Sequence, residues 1–258
     1  MTADIGWCWA GAIPDLLVIE PERFKTPKVV NKDYNKRGVI DCPSYQGFYN
    51  NLFLLKSPVS FDAEVKDGIV VVTSNEIDDH QLHNLFTIHP KEDMHDIKKP
   101  LFQFNLNYLF VADEPCLMEI LPPFMHNENF PGEVVGGSFN IHKWIRTISW
   151  GFIFANTRSK LSIKRGDPLC YIKFTTPNLT NKIGLEECIL TQELIDDLDR
   201  KRFLTNFKKG GIINLMNRAL KLRPCKYSFI SLASTLSCSL ILNFLSVKKK
   251  LYSRSLLQ

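Results

Sequence analysis

The sequence predicts a mainly β protein: a single β-sandwich or jelly-roll-like domain followed by a helical, basic C-terminal extension. Three observations support this prediction. Apolar and polar residues alternate in short segments between about residues 50 and 176, as in strands with one buried face. Turn residues separate the segments at irregular spacing, which favours a sandwich over a sheet with alternating helices. Eighteen phenylalanines in 258 residues favour β-structure or a tightly packed core.

The clearest element is a hairpin over 59–74. Apolar residues occupy every second position from Val59 to Val65, and Asp67-Gly68 supplies the turn. In 101–113 the side chains of Phe102, Phe104, Leu106 and Tyr108 fall on one face. Further strands are predicted within 51–56, 115–124, 137–156 and 161–174.

Four segments are predicted along the chain. They are an irregular N-terminal lead-in (1–39), a β-rich domain (40–180), a basic helical extension (181–226) and an apolar, then basic tail (227–258). Thr191 can cap a helix whose apolar residues Leu194, Ile195 and Leu198 follow helical spacing.

The charge distribution is asymmetric. Residues 200–258 hold 13 of the 32 basic residues and none of the 27 acidic ones, so residues 1–199 carry a net charge of −8. Such a basic tail suggests nucleic acid or an anionic membrane as partner, or else a solvated or self-associating segment.

The segment 227–247 contains no charged residue and has the length of a membrane-spanning helix. Its six serines make it poorly apolar. Three interpretations remain open: a membrane anchor, a buried helix or strand, or an end produced by a change of reading frame.

Seven cysteines are scattered without a Cys-x-x-Cys pair. This usage favours a reducing compartment and argues against a disulfide framework or a zinc ribbon. The N-terminal residues lack the basic start of a secretory signal.

Four histidines cluster within residues 75–100. His80 and His83 have a spacing that can share a metal ion on a helix, and His89 and His95 follow. Because no recognised metal motif is present, the sequence predicts no metal site, and these histidines are only weak candidates. No cofactor is indicated.

The segment 142–150 interleaves cations with tryptophan. If it is one strand, Trp144, Arg146 and Trp150 share a face that can stack a base or sugar or contact a partner protein. The alternative is a tryptophan pair packed in the core, with Arg146 reaching the edge.

A basic corner, Lys164-Arg165-Gly166-Asp167, separates two short strand patterns. As a binding site, with Lys164 and Asp167 as its candidate residues, it can hold a phosphate, or it can simply bend the chain. Its outline resembles the last motif of dUTPase-like β-clip proteins, but the motifs that carry dUTPase chemistry are absent. We therefore expect a structural turn in which Gly166 adopts positive φ and Asp167 caps the corner.

Three blocks carry a resemblance to a known group of proteins. They are CPSYQGFYNNLFLLKSP, YLFVADEPCLMEILPPF and GGSFNIHKWIRTISWGFIFANTRSKLSIKRGDPLCYIKF. In this order they resemble uncharacterised proteins of tailed phages, particularly marine ones. The last block is also similar to domain-of-unknown-function family 6065, with its Trp-rich strand before a Gly-Asp/Glu-Pro turn. The resemblance covers roughly residues 40–195. It implies a viral protein located in the host cytoplasm or the virion.

Three functions follow in order of preference. The first is a non-enzymatic binding or assembly module that contacts a phage or host protein. The second is a small-molecule enzyme of cupin or β-clip type, which requires the histidines or the Lys164–Asp167 corner to meet in one concave site. The third is a membrane-attached accessory protein that depends on 227–247.

Overall fold

The computed structural model describes residues 2–11, 18–25, 42–89, 99–126, 130–156, 158–206 and 228–229. Within them the fold is mainly β, as predicted. The strands are β1 (Thr2–Trp9), β2 (Glu22–Arg23), β3 (Leu52–Lys56), β4 (Phe61–Lys66), β5 (Ile69–Thr73), β6 (Phe86–His89), β7 (Leu101–Ala112), β8 (Leu117–Leu121), β9 (Gly132–Val135), β10 (Gly137–Asn140), β11 (Thr147–Phe154), β12 (Lys160–Ile163), β13 (Pro168–Thr175), β14 (Lys182–Ile189) and β15 (Ser228–Phe229). The helices are α1 (Pro43–Tyr49), α2 (Asp79–Leu85) and α3 (Gln192–Asn206).

These strands form three sheets. The first sheet has the order β15-β14-β1-β7-β11-β9, and β6 also pairs with β7. The second sheet has the order β10-β8-β13-β3-β2, and the third has the order β12-β4-β5. The third contains the predicted hairpin, which is confirmed: Asp67 and Gly68 turn the chain with φ of +49° and +77°. Positive φ at both central residues suits the twist of a two-residue hairpin.

The longest strand, β7, organises the first sheet. Its first half pairs with β6 and its second half pairs with β1. The predicted face of Phe102, Phe104, Leu106 and Tyr108 is confirmed, because all four side chains are buried. Residues two apart in a strand share a face, so this alternation builds one wall of the core.

The main core joins side chains from all three sheets. Phe102 and Trp150 come from the first sheet, Phe53 and Phe174 from the second, and Phe61 from the third. A smaller core lies on the other face of the first sheet, beneath α3. Its buried residues are Cys8, Leu109, Val111, Ile145, Cys188, Leu194 and Leu198.

The strands extend beyond the predicted β-rich domain at both ends, so two predictions are wrong. The predicted irregular lead-in contains β1 and β2, and β14 lies after the predicted end of the domain near residue 180. β1 lies inside the first sheet, between β7 and β14, and its pairing with β14 is parallel. β14 lies in the segment predicted to be a helical extension, 181–226. The first residue pair of β1 and β14 is Thr2 with Lys182, and a local pattern cannot reveal a partner so distant in sequence.

The helix predicted after Thr191 is present as α3. The backbone N–H of Leu194, in its first turn, donates to the Thr191 hydroxyl at 3.3 Å. Residues 207–226 of the predicted extension lie outside the described residues.

Buried Asn51 links the second sheet to the first. Its side-chain Nδ2 donates to the carbonyl of Asn181 at 2.8 Å, and its Oδ1 accepts from the backbone N–H of Ile183 at 2.9 Å. Its backbone has φ of +59°, a left-handed conformation that asparagine tolerates better than most residues. One side chain thus satisfies two backbone groups at the start of β14.

Candidate binding surface

The predicted contact face of Trp144, Arg146 and Trp150 is not formed, and that prediction is wrong. β11 begins only at Thr147, so the strand alternation does not extend back to Trp144 and Arg146. Trp150 is fully buried, and its indole N–H donates to the carbonyl of Leu169 at 2.8 Å. Trp150 therefore has the core role that the sequence also allowed.

Trp144 and Arg146 nevertheless remain neighbours beside β10. The Arg146 guanidinium carbon lies 5.1 Å from the centroid of the Trp144 ring and 5.7 Å from that of Phe139. Its Nε donates to the carbonyl of Thr147 at 3.2 Å. These contacts hold an exposed cation against two rings. A binding role for this pair stays a prediction.

The Lys164–Asp167 corner is built as a structural turn. The Asp167 carboxylate accepts from the backbone N–H of Lys164 at 2.8 Å, and Gly166 has φ of +90°. The backbone N–H of Gly166 donates to the carbonyl of Ser57, and the N–H of Ser57 donates to the carbonyl of Asp167, both at 2.8 Å. The predicted conformation is therefore confirmed, while a binding role for Lys164 and Asp167 stays a prediction.

The corner carries the chain between sheets. β12 belongs to the third sheet and β13 to the second. The connection between β3 and β4 also runs from the second sheet to the third, and it lies beside the corner. Ser57 belongs to this connection, which explains its two hydrogen bonds with the corner. Arg165 adds a bond from its guanidinium to the carbonyl of Pro58 at 3.0 Å.

We expect Gly166→Ala to lower the free energy of unfolding by about 1 kcal/mol, because an alanine is strained at this φ. A Cβ at Gly166 meets nothing within 4 Å, so the cost comes from the backbone alone. Gly47→Ala in α1 is the matched control: its Cβ also meets nothing, and alanine favours the helix. Urea unfolding should give a loss for Gly166→Ala and a small gain for Gly47→Ala. Equal changes in the free energy of unfolding for the two variants would contradict the claim that alanine is strained at position 166.

The weak metal candidates do not form a cluster in the described part of the chain. His80 and His83 are exposed on α2, which starts with a capping box between Asp78 and Gln81. His89 ends β6, and His95 lies outside the described residues. Among the described residues, no group of three or more histidine, cysteine or carboxylate side chains could hold a metal ion. Within the same described residues, no hydrogen bond joins a histidine to Lys164 or Asp167.

The tail hypotheses concern residues that are almost entirely outside the described ranges. Of 227–247, only the two residues of β15 are described, where they pair with the end of β14. Among all described residues, no helix has the length and apolar character needed to cross a membrane.

A cluster of six aromatic side chains was not predicted from the sequence. It lies on the outer face of the second sheet, where α1 packs, and we call it the aromatic cluster. Its members are Phe24, Tyr45, Phe48, Tyr49, Phe124 and Tyr171.

The aromatic cluster is layered from a buried base to an exposed tip. Tyr171, from β13, is fully buried, and the Phe124 ring centroid lies 4.8 Å from its own. Phe24 stacks on Tyr49 at 5.1 Å. Phe48, at the tip, is 41% exposed, and no residue of α1 is buried. Tyr45 and Tyr49 of this helix are half-buried, so Phe48 is the aromatic side chain that α1 presents to solvent.

Positively and negatively charged side chains both lie at this surface. The Lys173 ammonium lies 4.6 Å from the centroid of the Phe48 ring. Lys173 is paired in register with Glu119 of β8, and directly paired residues of antiparallel strands share a face. Lys56 and Glu22 form an ion pair at 2.6 Å at the β2 side. Burial, together with neighbouring Tyr49, raises the pKa of Tyr171 to about 12.

A sequence signal for α1 exists. Pro43 occupies the first turn, which proline tolerates, and the aromatic residues at 45, 48 and 49 follow helical spacing. No element was predicted for CPSYQGFYN, a segment interrupted by proline and glycine. The partners of these rings are Phe24 just after β2, Tyr171 in β13 and Phe124 after β8, which no local pattern connects.

Comparison with known proteins adds no relative: no protein-family model, curated protein or solved structure matches this chain.

Proposed function

We propose that this chain is a non-enzymatic binding or assembly module, and that the aromatic cluster is its contact surface. The observation that supports this proposal most directly is α1, whose aromatic side chains pack on one another while Phe48 stays 41% exposed. Interfaces are enriched in tyrosine, phenylalanine and methionine near their centres. Met125, which follows Phe124 and is 47% exposed, extends the apolar area.

The charges favour a protein partner. Nucleic acid and anionic membranes require a surface of mainly positive charge. This surface instead carries Lys173 beside Glu119, and Lys56 beside Glu22. Balanced charges around an aromatic centre match the polar rim and apolar core of a protein interface.

The partner that we propose is a second copy of the chain. In a two-fold symmetric interface the same patch meets itself, so each charge needs an opposite charge within that patch. Lys173 and Glu119 meet this requirement, since Lys173 of one copy can face Glu119 of the other while the Phe48 rings pack at the centre.

The wider setting of this proposal comes from the resemblance of residues 40–195 to uncharacterised tailed-phage proteins. We infer a phage assembly role in an infected bacterium, in the host cytoplasm or in the virion. We also infer a sandwich of jelly-roll type, supported by the main core that unites side chains of the first and second sheets.

The test is sedimentation velocity of the full chain over a range of concentrations. We expect a monomer–dimer equilibrium and a dissociation constant at least about tenfold higher for Phe48→Ser, because interface aromatics carry much of the binding energy. Ile69→Ser is the matched control, since Ile69 is an exposed apolar residue of β5 in the third sheet, 63% exposed. A monomer at every concentration, or equal effects of the two variants, would overturn the proposal.

A further inference from the structure

Two buried cysteines are neighbours across parallel strands. Trp7 of β1 pairs with Glu187 of β14, and one residue further along each strand stand Cys8 and Cys188. Adjacent strands lie about 4.8 Å apart, within the Cα separation that a disulfide accepts. Both side chains point into the smaller core beneath α3, at 4% and 2% exposure.

The register of the two strands places the Cys8 and Cys188 side chains next to each other in this core. Their interaction, together with burial, raises the pKa of Cys8, and the same interaction lowers the pKa of Cys188. The thiolate of Cys188 is therefore favoured over that of Cys8, and the thiolate is the form of cysteine that reacts as a nucleophile.

Other described cysteines lack such a partner thiol. Cys116 and Cys170 lie in the main core, where burial raises the pKa of each to about 12. Cys42 is exposed, next to the start of α1. Among the described residues, only Cys8 and Cys188 are free cysteines at neighbouring positions of two paired strands.

We propose that Cys8 and Cys188 form a reversible disulfide when the protein meets a peroxide. The Cys188 thiolate attacks one oxygen of hydrogen peroxide, giving a sulfenic acid and hydroxide, which takes up a proton to become water. The Cys8 thiol then attacks the Cys188 sulfur and passes its proton to the departing oxygen; the S–S bond forms, the S–O bond breaks, and the oxygen leaves as a second water. Overall, two thiols lose two protons and two electrons, and one peroxide is reduced to two waters.

The bond fastens β1 to a strand 180 residues later in the sequence. A disulfide stabilises chiefly by restricting the unfolded chain, and the effect grows with the length of the loop that it closes. The oxidised protein therefore has a higher melting temperature, and a thiol reductant reverses the change. This inference is independent of the proposed self-association, because the pair lies beneath α3 on the first sheet, whereas the aromatic cluster lies on the second.

The test treats the full reduced chain with hydrogen peroxide, blocks free thiols and maps peptides without reduction. We expect a peptide pair linked through Cys8 and Cys188, lighter by about 2 Da than the two thiol peptides, and a rise in Tm of at least about 5 °C. Reduction should remove both. Cys8→Ser should lose the linked pair and the Tm rise, whereas Cys42→Ser, the matched control, should keep both.

Two results would overturn the inference. One is that Cys8 and Cys188 remain free while exposed Cys42 is oxidised. The other is a linked pair with an unchanged or lower Tm, which would show that the bond forms only in a distorted or unfolded chain. The mapping uses the unaltered protein, so a variant that fails to fold does not affect the conclusion.

Discussion

The Trp150→Ala protein should unfold with a free energy about 3–5 kcal/mol lower than that of the unaltered chain. The indole of Trp150 is fully buried, and the rings of Phe102 and Phe152 lie 5.9 and 5.4 Å from it. Alanine leaves a cavity between these rings, and it removes the donor to the Leu169 carbonyl. Urea unfolding followed by circular dichroism measures the difference.

Trp144→Ala is the matched control for this prediction. It removes the same side chain from a half-buried position, where the ring contacts Phe139 and Arg146. We expect a loss below about 1.5 kcal/mol, because most of the lost contact area is replaced by water rather than by a cavity. Equal losses for the two variants would contradict the assignment of Trp150 to the core and Trp144 to the surface.

The second large effect is expected at Asn51. Asn51→Ala should lower the free energy of unfolding by about 3 kcal/mol, because it leaves the Asn181 carbonyl and the Ile183 N–H unpaired in a buried site and places alanine at φ of +59°. Unfolding in urea again provides the measurement.

Two further variants separate the causes. Asn51→Gly also removes both hydrogen bonds but relieves the backbone, so its loss should be smaller by about 1 kcal/mol. Asn107→Ala places alanine at a similar φ of +58° in β7, and it should show only the backbone cost of about 1 kcal/mol. If Asn107→Ala costs as much as Asn51→Ala, the bridge between the sheets contributes little.

The parts of the fold that depend on neighbouring residues were predictable. The hairpin around Asp67 and Gly68, the alternation in β7 and the turn at Gly166 are each set within a few residues, by side-chain periodicity or by the φ that glycine allows. The strand predicted within 115–124 is β8, which ends before Pro122 because proline cannot donate to the sheet.

Distant pairing and strand phase were not predictable. β1 was missed because its partner β14 lies far along the chain. The prediction of a Trp144–Arg146–Trp150 face was wrong because β11 starts at Thr147. The sequence before Thr147 contains no signal that marks where the strand begins. The aromatic cluster needs rings from segments as distant as Phe24 and Tyr171, which only the folded sheet brings together.

The parallel pairing of β1 and β14 also bears on synthesis at the ribosome. β1 emerges early, yet its partner β14 follows 180 residues later, about 10–40 s at ordinary translation rates. Throughout that interval one edge of β1, with the apolar side chains of Trp7 and Cys8, has no strand to pair with, and such edges promote aggregation. The incomplete chain is therefore open to aggregation until β14 has been synthesised, and we expect the yield of native protein to depend on how fast translation proceeds.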